Sequence, residues 1–186
     1  GVAPDSRTET YAALRVFIDN WRWQGVPFYL RTGKRLAART TEIAITFQPI
    51  PLCLFERAEA CSMTPNVLTL RIQPEEGISL RFAAKSPGDR VAVSNILMDM
   101  DYRQAFETPT SDAYERLLLD CLRGDATLFE RRDGVERAWD LVTPVLDAWE
   151  ADRVSPIPEY DPGSEGPVEA HDLLLGDGRR WRPIAR

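Results

Sequence analysis

The nine residues Arg31-Thr-Gly-Lys34-Arg35-Leu-Ala-Ala-Arg39 carry four cations and no acid, inside a chain of net charge −6. A lysine acts as a compact point charge and an arginine as a planar fork, and both suit phosphate or sugar oxygens. Gly33 lies in the middle of this segment and is free to adopt a turn that brings backbone close to a ligand. Composition alone nonetheless favours a solvated basic turn over an anion site, and on these residues both readings stay open.

Other chemistry is thinly represented. His171 is the single histidine, and Cys53, Cys61 and Cys121 have neither Cys-x-x-Cys spacing nor a disulfide-framework pattern, so no metal site is expected. As a lone histidine in an acidic region, His171 reads as surface or structural. Cys121 falls on the apolar side of an expected helix and reads as packed core; reduced thiols fit a cytoplasmic protein. There is no Gly-x-Gly-x-x-Gly, no Gly-x-x-x-x-Gly-Lys-Ser/Thr and no Gly-x-Ser-x-Gly, so neither a phosphate-cradling loop nor a nucleophile elbow is present.

The elements that must carry the cationic segment follow from hydrophobic periodicity. Thr8 to Ile18 is rich in aromatic and aliphatic residues, and Val26 to Leu30 leads directly into the cations. Strict alternation marks Ile43, Ile45 and Phe47, then Leu68, Leu70 and Ile72, then Ile78, Leu80 and Phe82, then Ile96, Met98, Met100 and Tyr102. Period two with one polar face indicates antiparallel strands, and the Pro-Glu-Glu-Gly run at 74–77 suits a hairpin. After Thr110 the period lengthens. Ser111 is positioned to cap a helix bearing Tyr114, Leu117, Leu118, Cys121 and Leu122, which Gly124 stops. Asp133 and Glu136 resemble a capping box, followed by a stripe of Val135, Ala138, Trp139, Val142, Leu146 and Trp149 that reads as core. Pro144 is expected to kink or interrupt that helix. Residues 155–186 form a Pro/Gly-rich tail of the same domain. Strands followed by helices define an α+β fold: a large, mostly antiparallel sheet with helices packed on one face, in one domain spanning 1–186.

Charge narrows the partners. Residues 1–105 carry 13 basic and 11 acidic groups, residues 106–177 carry 6 and 18, and the last nine add four arginines. A net-negative chain lacks the basic surface that nucleic acid requires, and no apolar run is long enough to span a membrane. The start, Gly-Val-Ala-Pro without a Met, has no signal-peptide pattern and reads as a trimmed end.

Several ordered stretches carry a family resemblance. Asp19-Asn-Trp-Arg-Trp-Gln-Gly-Val-Pro-Phe-Tyr-Leu-Arg-Thr-Gly-Lys34 resembles the signature of the C-terminal domain of glucose-6-phosphate dehydrogenases. The likeness continues through Leu70-Arg-Ile-Gln-Pro74, Glu76-Gly77, Lys85-Ser-Pro-Gly88 and Asp112-Ala-Tyr-Glu-Arg-Leu-Leu-Leu-Asp120. It closes with Gly124-Asp, Leu128-Phe, Ala138-Trp139, Thr143-Pro144 and Gly163 to Glu169, and so covers nearly the whole chain.

The resemblance implies an enzyme that oxidises D-glucose 6-phosphate to 6-phosphoglucono-δ-lactone with reduction of NADP, in the oxidative pentose phosphate pathway of glucose metabolism. It implies a cytoplasmic homodimer joined through the sheet, with tetramers formed in some cases. Lys34 matches the lysine that reaches the sugar phosphate, Arg39 a second cationic contact, and Gln73 a position near the substrate; all three orient the sugar rather than move protons. No catalytic residue is assigned, because the family's Asp-His-Tyr base motif and its coenzyme-binding Rossmann loop do not occur in these residues. The 186 residues alone are expected to be inactive. A structural NADP, which some members bind in this domain, is expected to be absent: Arg71, Arg81, Asp99 and Trp181 match or replace its contacts, but Glu165 stands where those members have an arginine. The competing reading is a non-catalytic dimerisation or regulatory module that keeps the fold.

Overall fold

The computed structural model describes residues 3, 6–50, 64–88, 92–107 and 113–184. Cys53, Cys61 and Ser111 lie outside the described residues. The chain divides into two compact units: residues 1–38 together with 111–186, and residues 39–110.

In the first unit, β1 (Tyr11–Val16) and β2 (Phe28–Gly33) pair antiparallel, with Tyr11 opposite Gly33 and Val16 opposite Phe28. Within the connection, residues 17–27, lies a turn in which the Asn20 side-chain oxygen accepts from the Arg22 and Trp23 amides, at 3.1 and 2.9 Å. Side chains of this type satisfy backbone donors and so stop a strand from continuing. The unit also holds the helices α2 (Ala113–Arg123) and α3 (Arg132–Ala151) and, near its end, a 3-10 turn (Val168–His171) leading into α4 (Asp172–Leu175). The helix α4 packs on β1 and buries Leu174. Among the described residues Asp120 is the largest fully buried side chain, and Arg116, one turn earlier, donates to it at 3.0 Å.

The second unit is a four-stranded antiparallel sheet in the order β3 (Thr41–Thr46), β4 (Val67–Gln73), β5 (Gly77–Lys85), β6 (Val93–Asp101). A short helix, α1 (Tyr102–Phe106), follows β6, capped by Asp101, whose carboxylate accepts from the Gln104 amide. Register brings the alternating apolar residues into rows: Ile43, Leu70, Ile78 and Met100 in one, and Ile45, Leu68, Leu80 and Met98 in the next. Period two thus placed these apolar residues of every strand on one face, but within this unit the buried positions, Val67, Thr69 and Ser79, alternate with them on the other face, and Ile43 and Met98 are exposed.

The class is α+β with antiparallel strands, as the period change after Thr110 indicated; the described strands form two sheets. Three local expectations need correction. Pro144 does not interrupt α3, which runs through it. A proline removes one donor and strains one turn, and none of this helix's residues is buried. Asp133 is not the cap: Arg131 holds that position, and its guanidinium brackets the Asp133 carboxylate at 2.9 and 2.7 Å. Asp133 instead lies in the first turn, where the helix dipole favours an acid. Finally, the stripes on α2 and α3 are not core. Leu118 is 66% and Trp139 58% exposed, and Cys121 is exposed. Amphipathic spacing defines a face that favours cover, not the presence of that cover.

Candidate functional site

Lys34 directly follows β2, and its amide donates to Thr10 O at 2.8 Å, extending the β1–β2 ladder by one bond. The chain then turns at once. Arg35 takes up the turn with φ of 52°, in the left-handed region that costs a non-glycine residue about 1–2 kcal/mol. Gly33 has a different task from the one its position suggests. It stays extended within β2, and a Cβ there would stand 2.7 Å from the Tyr11 ring and 3.1 Å from Leu36. Its value is close packing under Tyr11, and the left-handed residue is Arg35.

The turn is held from a distant part of the sequence. Tyr160 Oη lies 2.8 Å from Lys34 O and 2.9 Å from Thr10 O, the Gly163 amide donates to Arg35 O at 2.8 Å, and the Ala37 amide donates to Ser164 O at 2.8 Å. The Tyr160 ring meets Tyr11 edge-on, with centroids 5.6 Å apart. The Tyr11 hydroxyl is buried and makes no hydrogen bond among the described residues; burial pushes its pKa up.

Four cations that look alike in sequence separate by environment. Arg31 is committed: it pairs with Glu165 at 3.2 Å, donates to Arg182 O, and lies over the Trp181 ring at 5.1 Å. Glu165 also accepts from the Ile184 amide at 2.9 and 3.1 Å. Lys34, Arg35 and Arg39, by contrast, are exposed, and their charged heads have no carboxylate partner among the described residues. A neighbouring brace ties Asp177 to Arg15 and to the Tyr29 hydroxyl. Hydrogen bonds from Tyr29 and Arg15 hold the Asp177 carboxyl below its ordinary range.

Arg39 and Gln73 belong to the second unit, and the structure brings them to one end of the β3–β4 pair. Gln73 is the last residue of β4, opposite Thr41, and its amide donates to Thr41 Oγ1 at 3.0 Å. Thr40, next to Arg39, donates from its hydroxyl to Gln73 O at 3.3 Å. The following Gln73–Pro74 bond is cis. Both side chains are exposed.

Several of the residues weighed for a structural coenzyme are already engaged inside the protein. Arg71 donates to Asp99 at 2.6 and 3.3 Å and to Met100 O at 3.2 Å, and that hydrogen bond lowers the Asp99 pKa. In the other unit, Trp181 donates its indole N–H to Ala170 O at 2.8 Å while carrying Arg31 on its face. A coenzyme phosphate set beside Glu165 would meet a carboxylate whose cation is already spent. No metal-binding group of His, Cys, Asp or Glu occurs among the described residues, and no helix is long and apolar enough to cross a membrane.

The sequence singled out Lys34, Arg39 and Gln73 as candidates and did not show the Tyr160–Ser164 clasp or the Glu165–Arg31 pair. The only available signal was turn chemistry at Gly163 and Gly166, which marks a bend without naming what it bends towards.

Taken together, the chain is an α+β domain built on antiparallel strands that offers a cationic turn at the end of one strand pair. Comparison with known proteins gives this class a family. Residues 1–182 match the family described as glucose-6-phosphate dehydrogenase, C-terminal domain, and the chain belongs to it. The glucose-6-phosphate 1-dehydrogenase of Chlamydia pneumoniae is 50% identical over 186 residues, covering 98% of this chain and 36% of its own length. A crystal structure of the Mycobacterium avium glucose-6-phosphate 1-dehydrogenase superposes with a TM-score of 0.80 at 38% identity, over all of this chain and 38% of that one. A glucose-6-phosphate dehydrogenase in complex with its substrate glucose 6-phosphate gives 0.84 at 33% identity, over 98% of this chain and 37% of that one. The chain therefore spans little more than a third of the length of the relatives it matches.

Proposed function

We propose that these 186 residues serve as the substrate-side and dimer-forming domain of an enzyme that oxidises D-glucose 6-phosphate to 6-phosphoglucono-δ-lactone with reduction of NADP. The observation that carries this reading is Lys34: an exposed ammonium with no carboxylate partner among the described residues, on a clamped turn, in a member of a family that includes a structure with glucose 6-phosphate bound. Lys34 meets the phosphate as a point charge, while Arg39 and Gln73 supply a second charge and an amide. Their work is orientation, which lowers the entropic part of the barrier. No residue of this chain is given a part in hydride or proton transfer. Nor do the residues present fit the coenzyme: there is no Gly-rich loop, and Arg71 and Glu165 are spent on internal pairs. The working place of such an enzyme is the cytoplasm.

A charge-assisted hydrogen bond to phosphate contributes about 1.5–3 kcal/mol, equivalent to about 10–100-fold in affinity. In the longer protein that carries this domain, assayed with glucose 6-phosphate and each nicotinamide coenzyme, Lys34→Ala is expected to raise KM by that factor. An unchanged KM removes Lys34 from the site.

The sheet gives the homodimer a physical motive. Its apolar rows include Ile43 at 51% and Met98 at 60% exposure, and an open apolar face of this kind favours cover by a second copy. Light scattering should report a dimer at micromolar concentration. A monomer persisting at hundreds of micromolar would overturn the assignment of this face.

A further inference from the structure

We propose that Tyr160 is a positioning residue for the substrate phosphate, acting through the backbone of Lys34. The inference rests on the reading of Lys34 given above and extends it to a residue 126 positions away.

A lysine side chain has four flexible bonds, so the approach of its ammonium to a ligand is set mainly by where its Cα is held and how much that point moves. Around Lys34 the backbone is held on both sides. Its amide bonds Thr10 O, its own carbonyl faces the Tyr160 hydroxyl at 2.8 Å, the next carbonyl receives the Gly163 amide, and the Ala37 amide reaches Ser164 O. The hydroxyl has one proton and two carbonyl acceptors within 2.9 Å, Thr10 O and Lys34 O. It therefore bridges Thr10, just before β1, and Lys34, just after β2, where the ladder ends.

The need for such a bridge is local. Arg35, directly after Lys34, occupies the left-handed region at φ 52°, a conformation that persists only when its surroundings over-determine it. Tyr160 and Gly163 bracket this residue, one holding the carbonyl before it and the other its own. Removing the hydroxyl while keeping the ring leaves Lys34 O without its donor and lets the turn relax. The Tyr11 contact remains, because it is made by the ring. Small displacements of a positioning group carry large kinetic costs.

The test is a double-mutant cycle in the longer dehydrogenase, with wild type, Tyr160→Phe, Lys34→Ala and the double variant measured for KM and kcat with glucose 6-phosphate. The expected result is a KM raised about five- to tenfold by Tyr160→Phe, with kcat within about twofold. The double variant should be no worse than Lys34→Ala alone, because Tyr160 has nothing left to position. If Lys34→Ala raises KM and Tyr160→Phe does not, this proposal fails and the substrate reading stands. If the two effects multiply, or Tyr160→Phe lowers kcat and leaves KM alone, Tyr160 acts elsewhere and the proposal fails. If neither variant moves KM, both readings fall together. A second measurement does not depend on activity. In the 186-residue chain, Tyr160→Phe should speed hydrogen exchange at the Lys34, Ala37 and Gly163 amides about tenfold over distant β1–β2 amides. Equal protection in the two proteins would overturn the clasp.

Discussion

The twenty residues of α3 and the stretch from 160 to 184 lie in the same compact unit and use their surroundings in opposite ways. The helix α3 is fully regular, yet none of its residues is buried and Leu141 is 78% exposed. Its visible support is local, from pairs such as Arg137–Asp140 and Arg132–Glu136 at exposed positions, each contributing about 0.2–0.5 kcal/mol. The later stretch has only two four-residue helical pieces, Val168–His171 and Asp172–Leu175, but it sends Tyr160, Gly163, Ser164, Glu165 and Asp177 back onto β1, β2 and the turn beyond them. Regular backbone and tertiary anchorage are therefore separate properties here, and the irregular segment is the one that shapes the candidate site.

The largest expected effect comes from disturbing the anchored stretch. Gly166 has φ of 103°, and a Cβ there would stand 2.5 Å from the Tyr11 ring. Left-handed backbone costs about 1–2 kcal/mol and overpacking about 1–3 kcal/mol, so Gly166→Ala should destabilise the chain by about 2–5 kcal/mol in urea unfolding. A loss below about 1 kcal/mol would mean that the stretch is loosely held and would erase the contrast. The matching change in α3 is Trp139→Ala. A buried tryptophan would cost about 3–5 kcal/mol, but at 58% exposure the expected loss is within about 1 kcal/mol, partly offset by the better helix propensity of alanine. A loss of buried size would reveal that something covers the stripe in solution.

What the sequence made legible follows the same division. Strand positions were readable because alternation is a property of each strand alone, and the rows from Ile43 to Met100 align because every strand kept its own phase. Lys34 and Gln73 stood out as candidates because they stand in long ordered stretches that carry the family resemblance. The role of Gly33 was misread, since nothing nearby in sequence tells that Tyr11 lies across it. Tyr160 gave no signal, and Glu165 stood out only as a departure from the family pattern, because the residues they hold, Lys34 and Arg31, are more than 120 positions away. The burial expected of Trp139 failed for a related reason: a stripe states which side favours cover, and the cover is not local information.

The smallest expected effect lies where the two stretches meet. Asp152 is the C-cap of α3, and its carboxylate accepts from the Val154 and Ser155 amides at 3.0 and 2.9 Å as the chain leaves the helix. Hydrogen bonds from the Ser155 hydroxyl and amide, then from the Val154 amide, lower its pKa to about 2, against an unfolded value near 3.9. Because the folded value is the lower one, this carboxylate contributes stability that is complete above about pH 4 and lost as the pH falls through about 2. Asp152→Asn removes the titration, so its urea midpoint should fall less than that of wild type between pH 4 and pH 2, and the two should converge at the acid end. The group is fully solvated, so the difference should be small and should shrink with added salt if Coulomb attraction to Arg7 matters. Parallel pH profiles for the two proteins would mean that the chain is not tethered as it leaves α3, and the anchored stretch would then begin no earlier than Tyr160.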